Sequence, residues 1–280
     1  MENIIFVSDL DNTIFKSSEM KIDEKIVKLI DTIESVGGVF CICSGRSLNE
    51  VEDILKKYLP QKKVIIVGSG GSELLIENEY ILLSYYCMAE TKKIIQKLSN
   101  YFLINLYTSK QKYTYFPSET KEYLAEIISR TFYDQPQISD NLEFYMYNFM
   151  IRYCHQPYNF DNNDKILKIE IVGNEFFITP DINDFINQNE LSCNKTSKYT
   201  FDLLNNNVNK ITGVSKLKSM MSRNKLWVMG DYYNDVCLFK EADKSFVEVD
   251  APEEIKKIAT NLFQYGTWTS IFEELKGLKK

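Results

Sequence analysis

Residues 6–13 read Phe-Val-Ser-Asp-Leu-Asp-Asn-Thr and join an apolar run to a closely spaced pair of carboxylates. The apolar run, Ile4 to Val7, predicts a short buried strand. In an open α/β sheet, ligands bind beyond the carboxyl ends of the strands, which is where Asp9 and Asp11 would lie. Two neighbouring carboxylates repel each other unless a cation lies between them, and their hard oxygen atoms suit Mg²⁺. The stretch therefore predicts a Mg²⁺ site at the end of the first strand.

Two other interpretations of this stretch are a solvated turn and a calcium loop. The pentapeptide from Asp9 to Thr13 is short enough to occur by chance in a turn that merely ends a strand. A calcium loop that began at Asp9 would need glycine at its sixth position and glutamate at its twelfth. These positions hold Ile14 and Met20, so the calcium loop is excluded. The solvated turn stays open on this stretch alone.

The composition is that of a globular protein with enough apolar residues for a sizeable core. The chain has 280 residues, which allows one large domain or two modest ones, and 44% of them are hydrophobic. A net charge of -6 argues against a nucleic-acid-binding protein, because such a protein needs a basic face. No apolar run approaches the length that spans a membrane. We therefore expect neither nucleic acid nor a membrane as a partner.

The cysteines and the amino terminus predict a cytoplasmic protein. The 6 cysteines are scattered without a Cys-x-x-Cys pair, so neither a zinc knuckle nor a redox motif is indicated. Reduced thiols in a cytosolic protein are the simplest explanation. Met1-Glu2-Asn3 has no basic stretch, so we expect no signal peptide. The single histidine, His155, has no residue with nucleophile spacing near it, and a structural role is expected.

The first part of the chain alternates strands with helices, as a parallel sheet requires. Apolar spacing predicts a helix over Ile22–Val36 and a buried strand over Val39–Cys43. Ser44-Gly45-Arg46 follows this strand, and Ser47 with Glu50 forms a capping box for the next helix. The Ser44 hydroxyl at this helix start suits a phosphate oxygen, with a plain turn residue as the alternative.

A third strand, predicted over Val64–Val67, is followed by Gly68-Ser69-Gly70-Gly71. This glycine-rich stretch is not a P-loop, because no Gly-Lys-Ser or Gly-Lys-Thr follows. It is not a dinucleotide fingerprint either, because Glu73 stands at the third glycine position. Glu73–Ile76 and Tyr80–Leu83 then predict a β-hairpin. The order strand, helix, strand, helix, strand indicates a parallel α/β half-domain.

The middle of the chain has a different pattern, and we predict that residues 84–207 form a separate α+β insertion. Ala89–Leu98 predicts a helix, while Lys165–Val172 and Tyr199–Leu204 predict strands. Glu143–Tyr153 is dense in aromatic residues and is predicted to be a strand, because such residues favour strands. The polar run Asn205-Asn206-Asn207 is a natural boundary.

The α/β pattern resumes after the insertion. Lys210 begins a predicted helix, and Leu226–Met229 predicts a buried strand that ends in Gly230-Asp231-Tyr232-Tyr233-Asn234-Asp235. Carboxylates again stand at a strand end, although Asp235 alone is explained as well by a helix cap as by a metal ligand. The predicted fold class is α/β, a Rossmann-like parallel-sheet core of residues 1–83 and 208–280 with the inserted α+β domain.

The chain as a whole resembles the haloacid dehalogenase (HAD) superfamily, and more narrowly its Cof-type (class IIB) phosphatases. These proteins carry a large α/β cap between their second and third motifs, so the resemblance implies that residues 84–207 are the cap. Four motifs in the expected order carry it: Asp9-Leu10-Asp11-Asn12-Thr13, Ser44-Gly45-Arg46, Lys210, and Gly230-Asp231-Tyr232-Tyr233-Asn234-Asp235.

The chain departs from the family pattern at three places. Asn12 stands where glycine is commoner, and Ser69-Gly70 stands where these phosphatases usually show Asn-Gly. The stretch from Lys210 to Asp231 is shorter than expected. Lys216 is a second candidate for the third motif, but we prefer Lys210, because Lys216 lies almost two turns into the helix, away from the strand ends.

The resemblance implies a Mg²⁺-dependent phosphatase that hydrolyses a small phosphorylated metabolite, in the first place a sugar phosphate, through an aspartyl phosphate. The implied catalytic residues are Asp9 as nucleophile, Asp11 as general acid and base, and Lys210 as counter-charge. The implied substrate-binding residues are Thr13, Ser44, Gly45, Arg46 and Asn234. The implied ligands of Mg²⁺ are Asp9, Asp11 through its carbonyl, Asp231 and Asp235.

Two alternatives stay open at this point. One is a phosphomutase or phosphotransferase of the same fold, in which another hydroxyl replaces water, and the other is a non-catalytic binding protein on this scaffold. We expect a monomer or a weak homodimer whose partner is the small phosphorylated metabolite. The cap is expected to select the leaving group. Its first candidates, each with a solvated or structural role as the alternative, are Asn148, Arg152, Lys195 and Lys198.

Overall fold

The apolar run at the start of the chain forms strand β1 (Ile4–Ser8), whose residues are all buried.

The computed structural model describes residues 3–16, 18–117, 120–133, 142–159, 161, 163–205 and 208–278. The described residues up to Leu83 and from Asn209 onward form one unit, the core unit, and those of Ser84–Val208 form another, the cap unit. Met1 and Glu2, and Asn206 and Asn207 of the predicted boundary, lie outside the described residues.

The first part of the core unit follows the predicted alternation. Its further strands are β2 (Phe15–Lys16), β3 (Lys21–Ile22), β4 (Val39–Cys43), β5 (Ile65–Gly68), β6 (Glu73–Ile76) and β7 (Glu79–Leu82), and its helices are α1 (Lys25–Ser35) and α2 (Leu48–Tyr58). The capping box predicted for α2 is confirmed, because the Ser47 hydroxyl accepts from the Glu50 amide and the Glu50 carboxylate accepts from the Ser47 amide.

The cap unit combines four helices with a six-stranded sheet in the described residues. The helices are α3 (Met88–Leu98), α4 (Thr120–Thr131), α5 (Leu142–Tyr153) and α6 (Pro180–Gln188). The strands are β8 (Leu103–Tyr107), β9 (Lys112–Thr114), β10 (Gln156–Pro157), β11 (Lys168–Val172), β12 (Ser192–Lys195) and β13 (Thr200–Leu204), in the spatial order β10-β9-β8-β11-β13-β12. Neighbouring strands are antiparallel except β9 and β10, which are parallel.

The predicted strand over Glu143–Tyr153 is wrong, because these residues belong to helix α5. Tyr145, Phe149 and Tyr153 recur every four residues, pack against α4 residues and the sheet residue Leu103, and so follow a helical period. Aromatic residues favour strands only where a sheet face receives them, and here a helix buries the same rings.

The rest of the core unit returns to alternating helices and strands. The helices are α7 (Lys210–Met221), α8 (Val236–Glu241), α9 (Glu253–Lys256) and α10 (Thr269–Gly277), and the strands are β14 (Lys225–Gly230), β15 (Lys244–Glu248) and β16 (Asn261–Phe263). The core sheet has the order β16-β15-β14-β1-β4-β5-β6-β7. Its first six strands in that order are parallel, and β6 and β7 are antiparallel additions.

Helices cover both faces of the core sheet, as in a doubly wound fold. Phe6 of β1 belongs to the apolar cluster that contains residues of α1, α2 and α10. Its neighbour Val7 points to the opposite face and belongs to the cluster with residues of α7, α8 and α9. The predicted fold class is therefore confirmed, and the carboxyl ends of β14, β1, β4 and β5 lie side by side at one edge of the sheet.

Candidate active site

A buried lysine and three aspartates form the charged centre of the core unit. The Lys210 Nζ donates to Asp9 Oδ1 at 2.5 Å and to Asp235 Oδ1 at 2.6 Å. Asp9 follows β1, and Asp231 and Asp235 follow the neighbouring strand β14. Lys210 is only 2% exposed and Asp9 6% exposed, so these charges interact with little screening by water.

The start of helix α7 carries Lys210 into this centre. Asn209 caps the helix, because its side-chain oxygen accepts from the Ile211 amide at 3.1 Å. A Cβ at Gly71 would clash with the Asn209 carbonyl, so the glycine-rich stretch lets the helix start approach closely. Lys216, on the same helix, is exposed, and the structure places Lys210, not Lys216, against the aspartates.

Asp235 organises the loop that follows β14. Its Oδ2 accepts from the amides of Asp231 at 3.1 Å and Tyr232 at 3.3 Å, while its Oδ1 accepts from Lys210. A Cβ at Gly230 would clash with the Asp235 carboxylate. Glycine at position 230 therefore permits the tight turn that brings Asp231 beside Asp9.

The residues present fit a divalent cation. Carboxylate oxygens of Asp9, Asp231 and Asp235 lie within 4.8 Å of one another. Three carboxylates face one lysine, so two negative charges are uncompensated when all three are ionised, and Mg²⁺ carries the charge that balances them. Because both oxygens of Asp235 already accept hydrogen bonds, Asp9 and Asp231 are the better placed ligands and Asp235 the supporting one.

Burial and mutual repulsion raise the pKa values of Asp9 and Asp231 above the ordinary range of a carboxyl group. Burial raises the pKa of Asp9 to about 7, with the charges of Asp235 and Asp11 adding to the effect and Lys210 opposing it. Burial also raises the pKa of Asp231 to about 8, and the charge of Asp9 is the next cause. Such raised pKa values are expected of carboxylates that are built to share a bound cation.

The guanidinium of Arg46 holds the carboxylate of Asp11. Its Nε donates to Asp11 Oδ2 at 2.7 Å and its Nη2 to Asp11 Oδ1 at 2.6 Å, a bidentate pair. Both side chains are about one-third exposed, at 30% and 32%. Arg46, which the family resemblance assigns to the substrate, thus orients the second aspartate of the first motif in this structure.

The remaining residues of the predicted site are distributed around this centre. Thr13 is buried, and its hydroxyl donates to Asp231 Oδ1 at 3.3 Å. Ser44 is buried at the end of β4, and its hydroxyl accepts from the Arg46 amide at 3.1 Å, with the half-buried Gly45 between them. Asn234 is half-buried in the turn after β14, where its carbonyl accepts from the Cys237 thiol.

Two departures from the family pattern have a backbone reason. Asn12 has a φ of 58°, in the left-handed region that glycine adopts freely and asparagine better than most residues. Ser69 has a φ of 48° in the turn before Gly70, where asparagine would also be favoured. Both positions therefore keep the left-handed backbone conformation that Gly and Asn adopt more readily than other residues.

Glu73 is a site-supporting residue that the sequence does not single out as such. It is fully buried, and its Oε1 accepts from the Leu48 amide at 3.0 Å and from the Ser69 hydroxyl at 2.7 Å. It thus ties the start of α2 to the glycine-rich turn. The Ser69 amide in turn donates to the Arg46 carbonyl. A glutamate at the start of an otherwise apolar hairpin strand is the signal that could have revealed it.

A cavity of about 500 Å³ opens beside Asp231 on the core unit. Its lining includes Asn12, Lys16, Tyr232 and Tyr265, so polar and aromatic groups surround the approach to the carboxylate. A small ligand can therefore reach Asp231 from the surface of this unit.

Each of the four cap residues suggested by the sequence makes a contact within the cap unit. Asn148 and Arg152 are exposed on α5, and the Asn148 amide donates to the Phe144 carbonyl one turn earlier. Lys195 pairs with Glu175, and Lys198 lies 4.8 Å from the centre of the Tyr199 ring. Arg152 lies 5.4 Å from the centre of the Tyr153 ring, so local contacts account for all four side chains.

Comparison with known proteins identifies the family. The sequence profile of the haloacid dehalogenase-like hydrolases matches residues 6–275. The chain therefore belongs to this family, as the four motifs predicted. No curated protein sequence matches the chain at a significant level. Among the described residues, no helix combines the length and the apolar character needed to cross a membrane.

Solved structures share the fold over nearly the whole chain. A haloacid dehalogenase-like hydrolase from B. subtilis has a TM-score of 0.71 at 16% identity and covers 97% of this chain and 98% of its own. A HAD subclass IIB sugar phosphatase has a TM-score of 0.69 at 14% identity, covering 98% and 99%. A haloacid dehalogenase-like hydrolase from Bacteroides thetaiotaomicron has a TM-score of 0.67 at 17% identity, covering 98% of each chain. The chain thus has the fold of Cof-type (subclass IIB) members.

Proposed function

We propose that the protein is a Mg²⁺-dependent phosphatase that hydrolyses a small phosphorylated metabolite, a sugar phosphate, through an aspartyl phosphate at Asp9. The observation that carries the proposal is the contact of Lys210 with Asp9 beside Asp231, at adjacent strand ends. Phosphoryl transfer requires mainly positioning and charge stabilisation, and this arrangement supports both.

The reaction has two balanced steps. In the first, an Asp9 carboxylate oxygen bonds to phosphorus, the bond from phosphorus to the ester oxygen breaks, and Asp11 gives a proton to the leaving alkoxide. In the second, Asp11 takes a proton from water, the water oxygen bonds to phosphorus, and the bond from phosphorus to Asp9 breaks. Inorganic phosphate and an alcohol are the products, and both aspartates return to their starting states.

The other residues of the site position charge. Lys210 offsets the negative charge that Asp9 shares with the phosphoryl group, and the hydroxyls of Thr13 and Ser44 donate to phosphoryl oxygens. Mg²⁺ would be held by Asp9, the Asp11 carbonyl and Asp231, and it would supply charge neutralisation and alignment of the phosphoryl group. Asp235 and Asn234 support that site from the same loop.

Arg46 has a specific part in this mechanism. Its bidentate contact with both oxygens of Asp11 holds this side chain in its ionised form, the form that takes a proton from water in the second step. Correct orientation of a catalytic group supplies a large part of an enzyme's rate enhancement when the reacting atoms lie within about 3–3.5 Å of each other. Arg46 thus acts through Asp11.

The test is phosphate release from a panel of phosphorylated metabolites, with Mg²⁺ and with excess EDTA. We expect release that requires Mg²⁺ and is lost in Asp9→Asn, because the amide is not a nucleophile. Full activity in EDTA would contradict the metal assignment. Transfer of the phosphoryl group to another hydroxyl, without free phosphate, would indicate a mutase or transferase instead. Binding without turnover of any ester would indicate a non-catalytic protein.

A further inference from the structure

Helix α5 of the cap unit carries large apolar side chains on its exposed side. Four of them are Phe144 at 59% exposed, Tyr147 at 65%, Met150 at 44% and Ile151 at 67%. A surface helix ordinarily exposes polar residues, because contact between apolar surface and water is unfavourable. Helix α4, which packs against α5, follows this rule. Its exposed residues are Lys121, Glu122, Glu126 and Ser129.

The exposed apolar side chains do not belong to the core face of α5. Phe149 belongs to that face and packs with residues of α4 and the cap sheet. Phe144, Tyr147 and Ile151 follow each other at intervals of three and four residues, so they form a second stripe on another side of the helix. We call these three residues, with Met150 at their edge, the apolar stripe. An exposed apolar patch of this kind marks an interaction surface.

The area of the apolar stripe fits a small interface. An aromatic side chain offers about 150–250 Å² for burial, so the exposed fractions of Phe144 and Tyr147 leave roughly 250 Å² of these two side chains in water. Two copies that bury these side chains against each other would remove roughly 500 Å² from water, about half of the ~1,000 Å² that a specific interface needs. The remainder has to come from Met150, Ile151 and the polar residues beside the stripe. This area is that of a weak dimer.

The apolar stripe is complementary to itself when two copies of α5 run antiparallel. Phe144 of one copy then lies opposite Ile151 of the other, and Asn148, at the middle of the stripe, lies at the two-fold axis. Glu143 and Arg152 are exposed at opposite ends of the helix. Antiparallel pairing brings these unlike charges from different copies to the same end, whereas parallel pairing would bring like charges together. The stripe and the charges at its ends therefore favour the same arrangement.

We infer that the apolar stripe is the interface of a homodimer, in which two cap units pair through antiparallel α5 helices. The small area implies a dissociation constant on the order of 10 µM, at the weak end of the range for specific interfaces. The inference adds an interaction surface to the protein and does not depend on the proposed phosphatase activity.

The first test measures the oligomeric state of the full chain by sedimentation velocity at about 1–200 µM, a range that brackets the expected dissociation constant. We expect the wild-type protein to shift from monomer to dimer as its concentration rises. Ile151→Asp should raise the dissociation constant by about tenfold or more, because pairing would then bury a charge that has no partner. Met220→Asp is the matched control, because Met220 is 40% exposed on α7 of the core unit, and this variant should dimerise as the wild type does. Circular dichroism checks that both variants keep the fold.

A cysteine variant tests the antiparallel arrangement. Asn148→Cys places a thiol of each copy at the two-fold axis, so a short bismaleimide should link two chains in higher yield than in the wild type, whose own thiols give the background. Asp53→Cys, exposed on α2 of the core unit, is the control and should not exceed that background.

Three results would each overturn the inference. They are a monomer at every concentration, a dimer that Ile151→Asp leaves unchanged, and equal cross-linking of the two cysteine variants. Phosphate release is measured separately, so failure of the dimer and failure of the proposed phosphatase function are distinguished.

Discussion

Replacement of Lys210 by methionine tests the centre of the site most directly. Methionine has a similar length and fills the same buried space, so the substitution removes a charge more than a volume. In the structure that charge lies 2.5 Å from Asp9 Oδ1 and 2.6 Å from Asp235 Oδ1. The substitution therefore leaves two buried carboxylates without their counter-charge.

Two magnitudes follow from this geometry. Removing one preorganised charged donor from a phosphoryl-transfer site costs about 10²–10³ in kcat. Breaking a buried ion pair on one side destabilises the fold by about 3–5 kcal/mol, a large part of the ~5–15 kcal/mol that stabilises a typical domain. Since Lys210 opposes the rise of the pKa of Asp9, the variant should raise that pKa further above about 7. A protonated Asp9 carries no charge, so the loss of stability should be largest above pH 8 and shrink as the pH falls.

The assay combines initial rates at saturating Mg²⁺ with urea unfolding at pH 8.5 and pH 6. Lys216→Met is the matched control, because Lys216 is exposed on the same helix and should keep activity within about twofold. The double variant Lys210→Met with Asp235→Asn should regain part of the stability, because it removes one of the unpaired carboxylates, and should regain no activity. Activity of Lys210→Met within threefold of the wild type, or an equal loss in Lys216→Met, would refute the assignment of Lys210.

The other predictions concern the metal and the loop after β14. The apparent affinity for Mg²⁺, measured by calorimetry, should fall from pH 8.5 to pH 6. The pKa of Asp9 is about 7 and that of Asp231 about 8, so protons compete with Mg²⁺ for the same oxygens over this range. A pH-independent affinity would argue against these ligands. Gly230→Ala should destabilise the protein by about 1–3 kcal/mol in urea unfolding and lower its activity, because the added Cβ clashes with Asp235. Gly277→Ala is the control, because a Cβ at position 277 meets no atom within 4 Å, and it should be neutral or stabilising by up to ~1 kcal/mol. Equal behaviour of the two alanine variants would contradict the proposed clash.

Local patterns predicted much of the fold. The strand that ends at Asp9 can be recognised from consecutive residues alone, because an apolar run of strand length is followed directly by a carboxylate. The capping box of Ser47 and Glu50 likewise acts within one turn of helix. Order along the chain was enough to place Asp9, Ser44 and Asp231 at one edge of the sheet, because parallel strands joined by helices have all their carboxyl ends there.

The prediction failed where partners distant in sequence decide the structure. The aromatic residues of α5 fit a strand or a helix by composition, and the packing of Phe149 with α4 and the sheet selected the helix. The pairing of Arg46 with Asp11, and the support that Glu73 gives to the glycine-rich turn, join segments whose spacing has no motif. Such long side chains can reach several partners, so sequence alone does not choose among them.

The chemistry of the site was thus determined by the sequence, and its electrostatics by the tertiary structure. The sequence supplies carboxylates at strand ends and a lysine at a helix start. Only the sheet order, with β14 beside β1, brings Lys210 to an aspartate 201 residues away in the chain. Burial there removes the water that would screen the charges, and this raises the pKa values of Asp9 and Asp231 and makes a cation favourable.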